Sequence, residues 1–180
     1  MLSRGEYQVL LNQFPDPGAN SNAPGDADVL VARALALQNL KKPSDAVDAI
    51  DRSLALRRDA AGLLVRARIA LLQGQTAEAG KFVDEAIPKA VGPQAMLFKV
   101  GMLLRSNENQ AALHLSNQML AKYPGNLLGR FARIEAYFAL KQDDKARPEV
   151  DDIIAKNPRA EMGLYYRALL FARAGHTKEA

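Results

Sequence analysis

The chain has 180 residues, 48% of them hydrophobic and 24% charged, a composition that supports a packed globular core. No apolar run approaches the roughly 20 residues of a membrane helix, Arg4 and Glu6 interrupt the start where a secretion segment would be apolar, and the absence of cysteine excludes disulfides and thiolate metal sites. The 24 Lys and Arg are interleaved with 20 Asp and Glu for a net charge of +4, without the concentrated basic stripe that DNA binding needs, so no DNA partner and no membrane insertion are expected, and the compartment stays open.

In chain order, residues Ser3 to Phe14 read as a helix, and Pro15 to Asp26 form a Pro/Gly/Asn/Ser loop. Ala27 to Leu40 carry Leu30, Ala34 and Leu37 on one helical face, and Ser44 is expected to cap a second helix bearing Val47, Ile50 and Leu54. Leu63, Ala67 and Ala70 lead to a break at Gln73 to Thr76, followed by Val83, Ala86 and Ile87. Met96, Val100 and Leu103 precede a break at Ser106 to Asn109, then Leu113, Met119 and Leu120. Ile134 and Tyr137 precede a break near Gln142, then Val150, Ile153 and Ile154. Leu164, Ala168 and Phe171 lead to Gly175-His176-Thr177, and the sequence stops at Ala180. Pro88, late in its helix, is expected to kink or end it, and Pro148, early in its own, to cost less.

Ala46, Ala79, Ala112, Ala146 and Ala180 fall at spacings of 33, 33, 34 and 34 residues, a period that marks a solenoid of helical hairpins in which each copy buries its face against its neighbours. The units divide as 1–26 (partial helix and loop), 27–59, 60–92, 93–126, 127–160 and a truncated 161–180. Neither end carries a polar capping unit, which suggests a fragment of a longer repeat protein whose cut ends could pair two copies as a homodimer.

With the alanine column, the columns Ala34, Ala67, Val100, Ile134, Ala168 and Leu37, Ala70, Leu103, Tyr137, Phe171, and Pro124 and Pro158 after two closing helices, this plan resembles the tetratricopeptide repeat. The family's tryptophan column is Leu30, Leu63, Met96, Arg130 and Leu164 here. The resemblance implies an all-α, right-handed superhelix of helix-turn-helix repeats, with neither enzyme activity nor cofactor. Segments such as 71–79 and 171–180 also resemble the repeat lipoproteins of bacterial PEP-CTERM/exosortase systems, which would imply an exported role, periplasmic or membrane-anchored, in exopolysaccharide production. Otherwise a cytoplasmic location is expected.

In the resembled family one face of each opening helix lines a concave groove. Its columns here are Val31, Leu64, Leu97, Phe131, Tyr165; Leu35, Arg68, Gly101, Glu135, Leu169; and Gln38, Leu71, Leu104, Phe138, Ala172. This apolar lane, dotted with Arg68 and Glu135, could hold a protein or peptide segment, with Phe131, Phe138 and Tyr165 as anchors; equally, its residues could merely contact neighbouring repeats. The lysine and asparagine of the family's carboxylate-clamping members are absent. A second column, Arg33, Arg66, Lys99, Arg133, Arg167, is basic in every unit; its stems are expected to pack apolar surface and its heads to pair with nearby carboxylates or carbonyls, Arg33 facing Asp51, Arg66 facing Asp84 and Arg133 facing Asp151 within each hairpin. Exposed instead, it would suit RNA or an acidic polymer. His114 and His176 stand far apart in sequence, and no phosphate loop or metal-ligand spacing is present.

Overall fold

The computed structural model describes residues 3–18, 23 and 25–175. They form ten helices: α1 (Arg4–Gln13), α2 (Asp26–Asn39), α3 (Pro43–Leu56), α4 (Ala60–Leu72), α5 (Thr76–Lys89), α6 (Gln94–Arg105), α7 (Asn109–Lys122), α8 (Leu127–Ala139), α9 (Asp143–Lys156) and α10 (Glu161–Arg173). The chain divides into two compact units, Met1–Ala95 and Met96–Ala180.

The turn inside each hairpin is the same device. Lys41, Gly74, Asn107 and Lys141 have φ of 60°, 77°, 60° and 57°. The N–H of the next residue then donates back across the helix end, Lys42 to the Leu37 carbonyl at 3.0 Å, and Gln75 to Ala70, Glu108 to Leu103 and Gln142 to Tyr137 at 2.9 Å. A left-handed residue with this bond closes the last helical turn and satisfies carbonyls that would otherwise be orphaned. The expected Ser44 cap is not used: α3 starts one residue earlier at Pro43, whose fixed φ suits the first helical position, with Lys42 as N-cap. Elsewhere side chains do cap. Ser3 and Glu6 form a capping box on α1, Asp59 accepts from the Gly62 N–H at 2.9 Å, and Asn126 accepts from the Gly129 N–H at 2.7 Å. α5 ends at Lys89, one residue beyond Pro88, whereas α9 runs through Pro148.

In the first unit the core is a row of small clusters. Leu30, Ala34, Leu37, Ala46, Ala49 and Ile50 close α2 against α3 together with Val65 and Ile69 of α4; Leu54, Leu63, Ala86 and Ala95 form the next cluster. The second unit repeats this with Val100, Ala112, Leu113 and Ala136, then Phe131, Ile134, Ala146, Val150, Ile153, Tyr166 and Leu170. Ala46, Ala79, Ala112 and Ala146 are all 0% exposed, as expected of a residue whose size sets how closely two helices approach. Ala180 lies outside the described residues. A second small column, Gly62, Gly129 and Gly163, sits at the start of opening helices: a Cβ on Gly62 would come within 2.9 Å of Leu54, one on Gly163 within 3.1 Å of Ile154, and one on Gly129 would collide with Met119.

Of the Pro15 to Asp26 loop, residues 19–22 and 24 lie outside the described residues. Asp16 ties the described part to the first hairpin, accepting from both terminal nitrogens of Arg52 at 2.8 and 2.9 Å, while Arg52 also donates to the Gly18 carbonyl at 2.8 Å. The Arg52 guanidinium holds the Asp16 carboxyl down at about 2, helped by the Gly18 N–H. A folded-state value below the unfolded one stabilises above the unfolded value and is lost as pH falls through the folded one. Acidification from pH 4 to 2 is therefore expected to release the loop and accelerate amide exchange in α1. With the Asp16 side chain 45% exposed, the loss should not exceed about 1 kcal/mol. Arg52→Ala should abolish this pH dependence; exchange in α1 that stays equally acid-sensitive would show another cause.

Candidate functional site

In the first unit the groove residues Val31 and Leu35 are half-buried against the first core cluster and Leu64 against the next, leaving Arg68 exposed. In the second unit Leu97 and Leu104 are half-buried, Leu104 against the Val100 cluster. Phe131 and Phe138, which the sequence offers as anchors or equally as contacts to a neighbouring repeat, are 7% and 8% exposed and form the seam between α8 and α10. The Tyr166 ring lies 5.4 Å from Phe131 and 6.0 Å from Phe138, and the Arg173 guanidinium stacks on Phe138 at 5.1 Å. The helical wheel of α8 identifies its face but cannot show that the next repeat brings a tyrosine to cover it.

On the same two helices Leu128, Met162 and Tyr165 are open to solvent at 62%, 45% and 58% exposure, as are Leu127 and Leu164 at 42% and 38%. Tyr165 meets Tyr166 edge-on with ring centroids 5.3 Å apart. Glu135 is exposed, Leu169 half-buried, and the Tyr166 hydroxyl donates to Glu135 Oε1 at 2.6 Å. Burial, then the Glu135 carboxylate, pushes the Tyr166 hydroxyl well above the ordinary phenol range.

The basic column is real but its partners are not those expected. Arg33 donates to the carbonyls of Leu11 and Phe14 at 3.2 and 2.5 Å, with Asp16 4.0 Å from its Nε, in place of Asp51. Arg66 donates to Asp51 of the preceding hairpin at 2.8 Å and to Glu78 at 3.3 Å, in place of Asp84. Arg133 donates to Asn117 of the preceding hairpin at 3.2 Å and to Glu149 at 2.8 and 2.7 Å, in place of Asp151. The opening helix lies between two closing helices, and the long guanidinium stem reaches back to the earlier one. Arg167 is exposed.

A family model described as tetratricopeptide repeat matches residues 103–169. The segment 103–169 belongs to the tetratricopeptide repeat family. No curated protein matches it in sequence. Among solved structures, a tetratricopeptide repeat protein from Parabacteroides merdae superposes with a TM-score of 0.73 at 15% identity, over 96% of this chain and 66% of that one, just under two thirds of its length. YrrB, described as a tetratricopeptide repeat protein with an unusual peptide-binding site, gives 0.63 at 12% identity over 97% and 86%. Kinesin light chain repeats from Podospora anserina give 0.68 at 17% over 87% and 89%. At such identities the likeness establishes the fold, an all-α helical-repeat solenoid.

Within this tetratricopeptide fold one feature escaped the sequence reading. Arg130, in the family's tryptophan column, donates to Glu149 at 3.1 Å and pairs with Asp152 at 2.8 Å. Glu149 is 8% exposed and accepts from Arg133 as well. Lys156, then Arg130, holds the Asp152 carboxyl below the usual carboxylate range. The equivalent pair two repeats earlier in the tetratricopeptide array is Leu63 and Phe82, and there the ladder residue Arg66 lies over the Phe82 ring at 5.1 Å. An apolar pair in one repeat is thus a carboxylate between two guanidinium groups in another. The signal was available as two opposite charges replacing apolar residues together at a spacing of 19 in both hairpins. Among the described residues no cluster of three or more His, Asp or Glu could hold a metal, and no helix is long and apolar enough to cross a membrane. His114 is exposed and His176 lies outside the described residues.

Proposed function

We propose that this chain is a non-catalytic scaffold that binds a protein or peptide segment on the exposed face of its opening helices, with the face of α8 and α10 as its main contact. The observation that carries this reading is that Leu128 of α8 and Met162 and Tyr165 of α10 are large apolar side chains left open to solvent on two helices joined by the packed Phe131, Tyr166 and Phe138 rings. Exposed apolar side chains on helices joined by a rigid aromatic base are the arrangement expected of binding anchors, because the base fixes their positions before the partner arrives. Tetratricopeptide repeats as a family serve as interaction scaffolds, and the unusual peptide-binding site described for YrrB is consistent with such a role. Val31, Leu35, Leu64 and Arg68 offer a corresponding but more covered face in the first unit, as do Leu97 and Leu104 in the second.

An RNA or acidic-polymer role is less favoured, since Arg33, Arg66 and Arg133 spend their donors on the chain's own carbonyls and carboxylates and so offer little charge to phosphates. The reading is tested by selecting a phage-displayed random dodecapeptide library on the protein. Tyr165→Asp should weaken the selected peptides by about tenfold or more, the loss expected for an anchor residue, with an unchanged unfolding transition. Selected peptides that bind Tyr165→Asp and Leu128→Asp as tightly as the unaltered chain would overturn it.

A further inference from the structure

Glu135 lies on the same stripe of α8 as Leu128, seven residues on, and faces α10. It is exposed, yet its carboxylate is held in place. Tyr166, 2% exposed and wedged against the Phe131 and Phe138 rings, donates its hydroxyl to Oε1 at 2.6 Å. An acceptor positioned from below by a buried phenol has already lost the rotamer freedom that a surface carboxylate normally surrenders on binding.

Its charge is also unlike that of the carboxylates around it. Glu149 is taken by Arg130 and Arg133, Asp152 by Arg130 and Lys156, and Asp143 by Arg173 at 2.7 and 2.8 Å. The hydrogen bond that Glu135 receives comes from a neutral group instead. Of the four arginines of α8 and α10, Arg130, Arg133 and Arg173 are committed to those other carboxylates, and Arg167 is exposed in the column of Arg133, about a hundred degrees around α10 from Tyr166. Leu128 lies on its own stripe of α8, and Met162 and Tyr165 are exposed on α10, the helix that supplies Tyr166.

A purely apolar segment laid across this face would strip water from an ionised carboxylate and give nothing back, a cost that grows with the completeness of the seal. A segment carrying a cation beside its apolar side chains replaces the lost hydration with a charge-assisted hydrogen bond. We infer that the partner segment presents a lysine or arginine next to an apolar side chain, and that the Tyr166-held carboxylate of Glu135 receives that cation. The inference rests on the peptide-binding reading above and names the chemistry of its partner. An acidic segment is rejected by the same group, so Glu135 serves discrimination as much as affinity.

The test uses the phage-displayed dodecapeptide library selected in parallel on the unaltered chain and on Glu135→Gln, which keeps an acceptor for the Tyr166 hydroxyl and removes only the charge. Peptides from the unaltered chain should be enriched in lysine or arginine adjacent to leucine, phenylalanine or other apolar residues, and the Glu135→Gln selection should lose that enrichment while keeping the apolar positions. Replacing the enriched cation by norleucine in a selected, fluorescently labelled peptide should weaken binding about fivefold on the unaltered chain, the effect of a partly exposed ion pair, and by less than about twofold on Glu135→Gln. Selected peptides that are apolar without cationic enrichment, or a norleucine effect equal on both proteins, would overturn the inference and leave the binding face standing. Failure to select any peptide, or binding insensitive to Tyr165→Asp, would remove the binding face and the inference with it.

Discussion

Glu149→Ala is expected to destabilise the α8 and α9 hairpin by about 2–3 kcal/mol, somewhat below the usual loss on breaking a buried ion pair, because the surviving partners Arg130 and Arg133 keep 17% and 28% side-chain exposure and can recover some water. The carboxylate itself is nearly sealed, at 7%. It accepts from Arg130 Nε and from two nitrogens of Arg133, and the Glu149 main-chain carbonyl accepts from Arg130 at 3.2 Å. Removing the side chain leaves two guanidinium groups side by side with their common counter-charge gone. The measurement is amide exchange of α8 and α9 with denaturant unfolding, since different parts of a repeat chain can unfold separately. Unchanged protection in those two helices would refute the assignment.

The other half of this expectation concerns the double replacement Arg130→Leu with Glu149→Phe, which transplants the Leu63 and Phe82 pair of the first unit. Exchanging a whole buried ion pair for well-packed apolar groups is often neutral or stabilising, so the double variant should lie within about 1 kcal/mol of the unaltered chain or above it, and far above Glu149→Ala. Arg133 would then have an aromatic ring to cover, as Arg66 covers Phe82 at 5.1 Å. If the double variant fell as far as the single one, the two repeats would not be built on interchangeable pairs.

The repeat itself was legible because its information is redundant. Four alanines at 33- and 34-residue spacing, each with apolar columns in register around it, specify the same hairpin again and again. Features that appear once, or that depend on a neighbouring helix, were not legible in this way. The left-handed turn residue is glycine at Gly74 and Gly175 and asparagine at Asn107, residue types that favour a positive φ; at Lys41 and Lys141 nothing in the residue type announces one. The basic column could be seen, but choosing its partners required knowing that α4 and α8 each lie between two closing helices, within reach of Asp51 and Asn117 behind as well as Glu78 and Glu149 ahead. Counting heights within one hairpin left out the earlier helix. Periodicity assigns the proposed binding face to the opening helices, while the exposure of its residues is decided by Tyr166, which packs against Phe131 and Phe138 and leaves Tyr165 outside. Adjacent tyrosines with opposite fates cannot be told apart by composition.

Ala146→Leu is expected to cost about 3 kcal/mol, at the upper end for forcing extra carbons into a packed core, and to cost more than the same change at Ala46. Both alanines are 0% exposed, but the residues sharing their clusters differ. Ala46 packs with Ala34, where a small partner leaves the helices some freedom to adjust. At the equivalent position, twelve residues before each alanine, Ala112 has Val100 in its cluster and Ala146 has Ile134, so the volume of that residue increases along the column and the space for three added carbons shrinks. Ala155→Leu on the same helix, at an exposed position, should stay within about 0.5 kcal/mol and controls for helix propensity. Thermal unfolding that ranks Ala146→Leu with Ala155→Leu would mean that the alanine column does not set the spacing of the helices. The consequence reaches the proposed binding face. Pushing α9 away from α8 disturbs the cluster in which Phe131 and Tyr166 lie, and with Tyr166 displaced the 2.6 Å bond that positions Glu135 is lost. A variant altered only at Ala146 should therefore show weaker discrimination for cationic peptides even under conditions in which it remains folded, because in a stack of hairpins the buried spacer and the exposed carboxylate are joined by a single tyrosine.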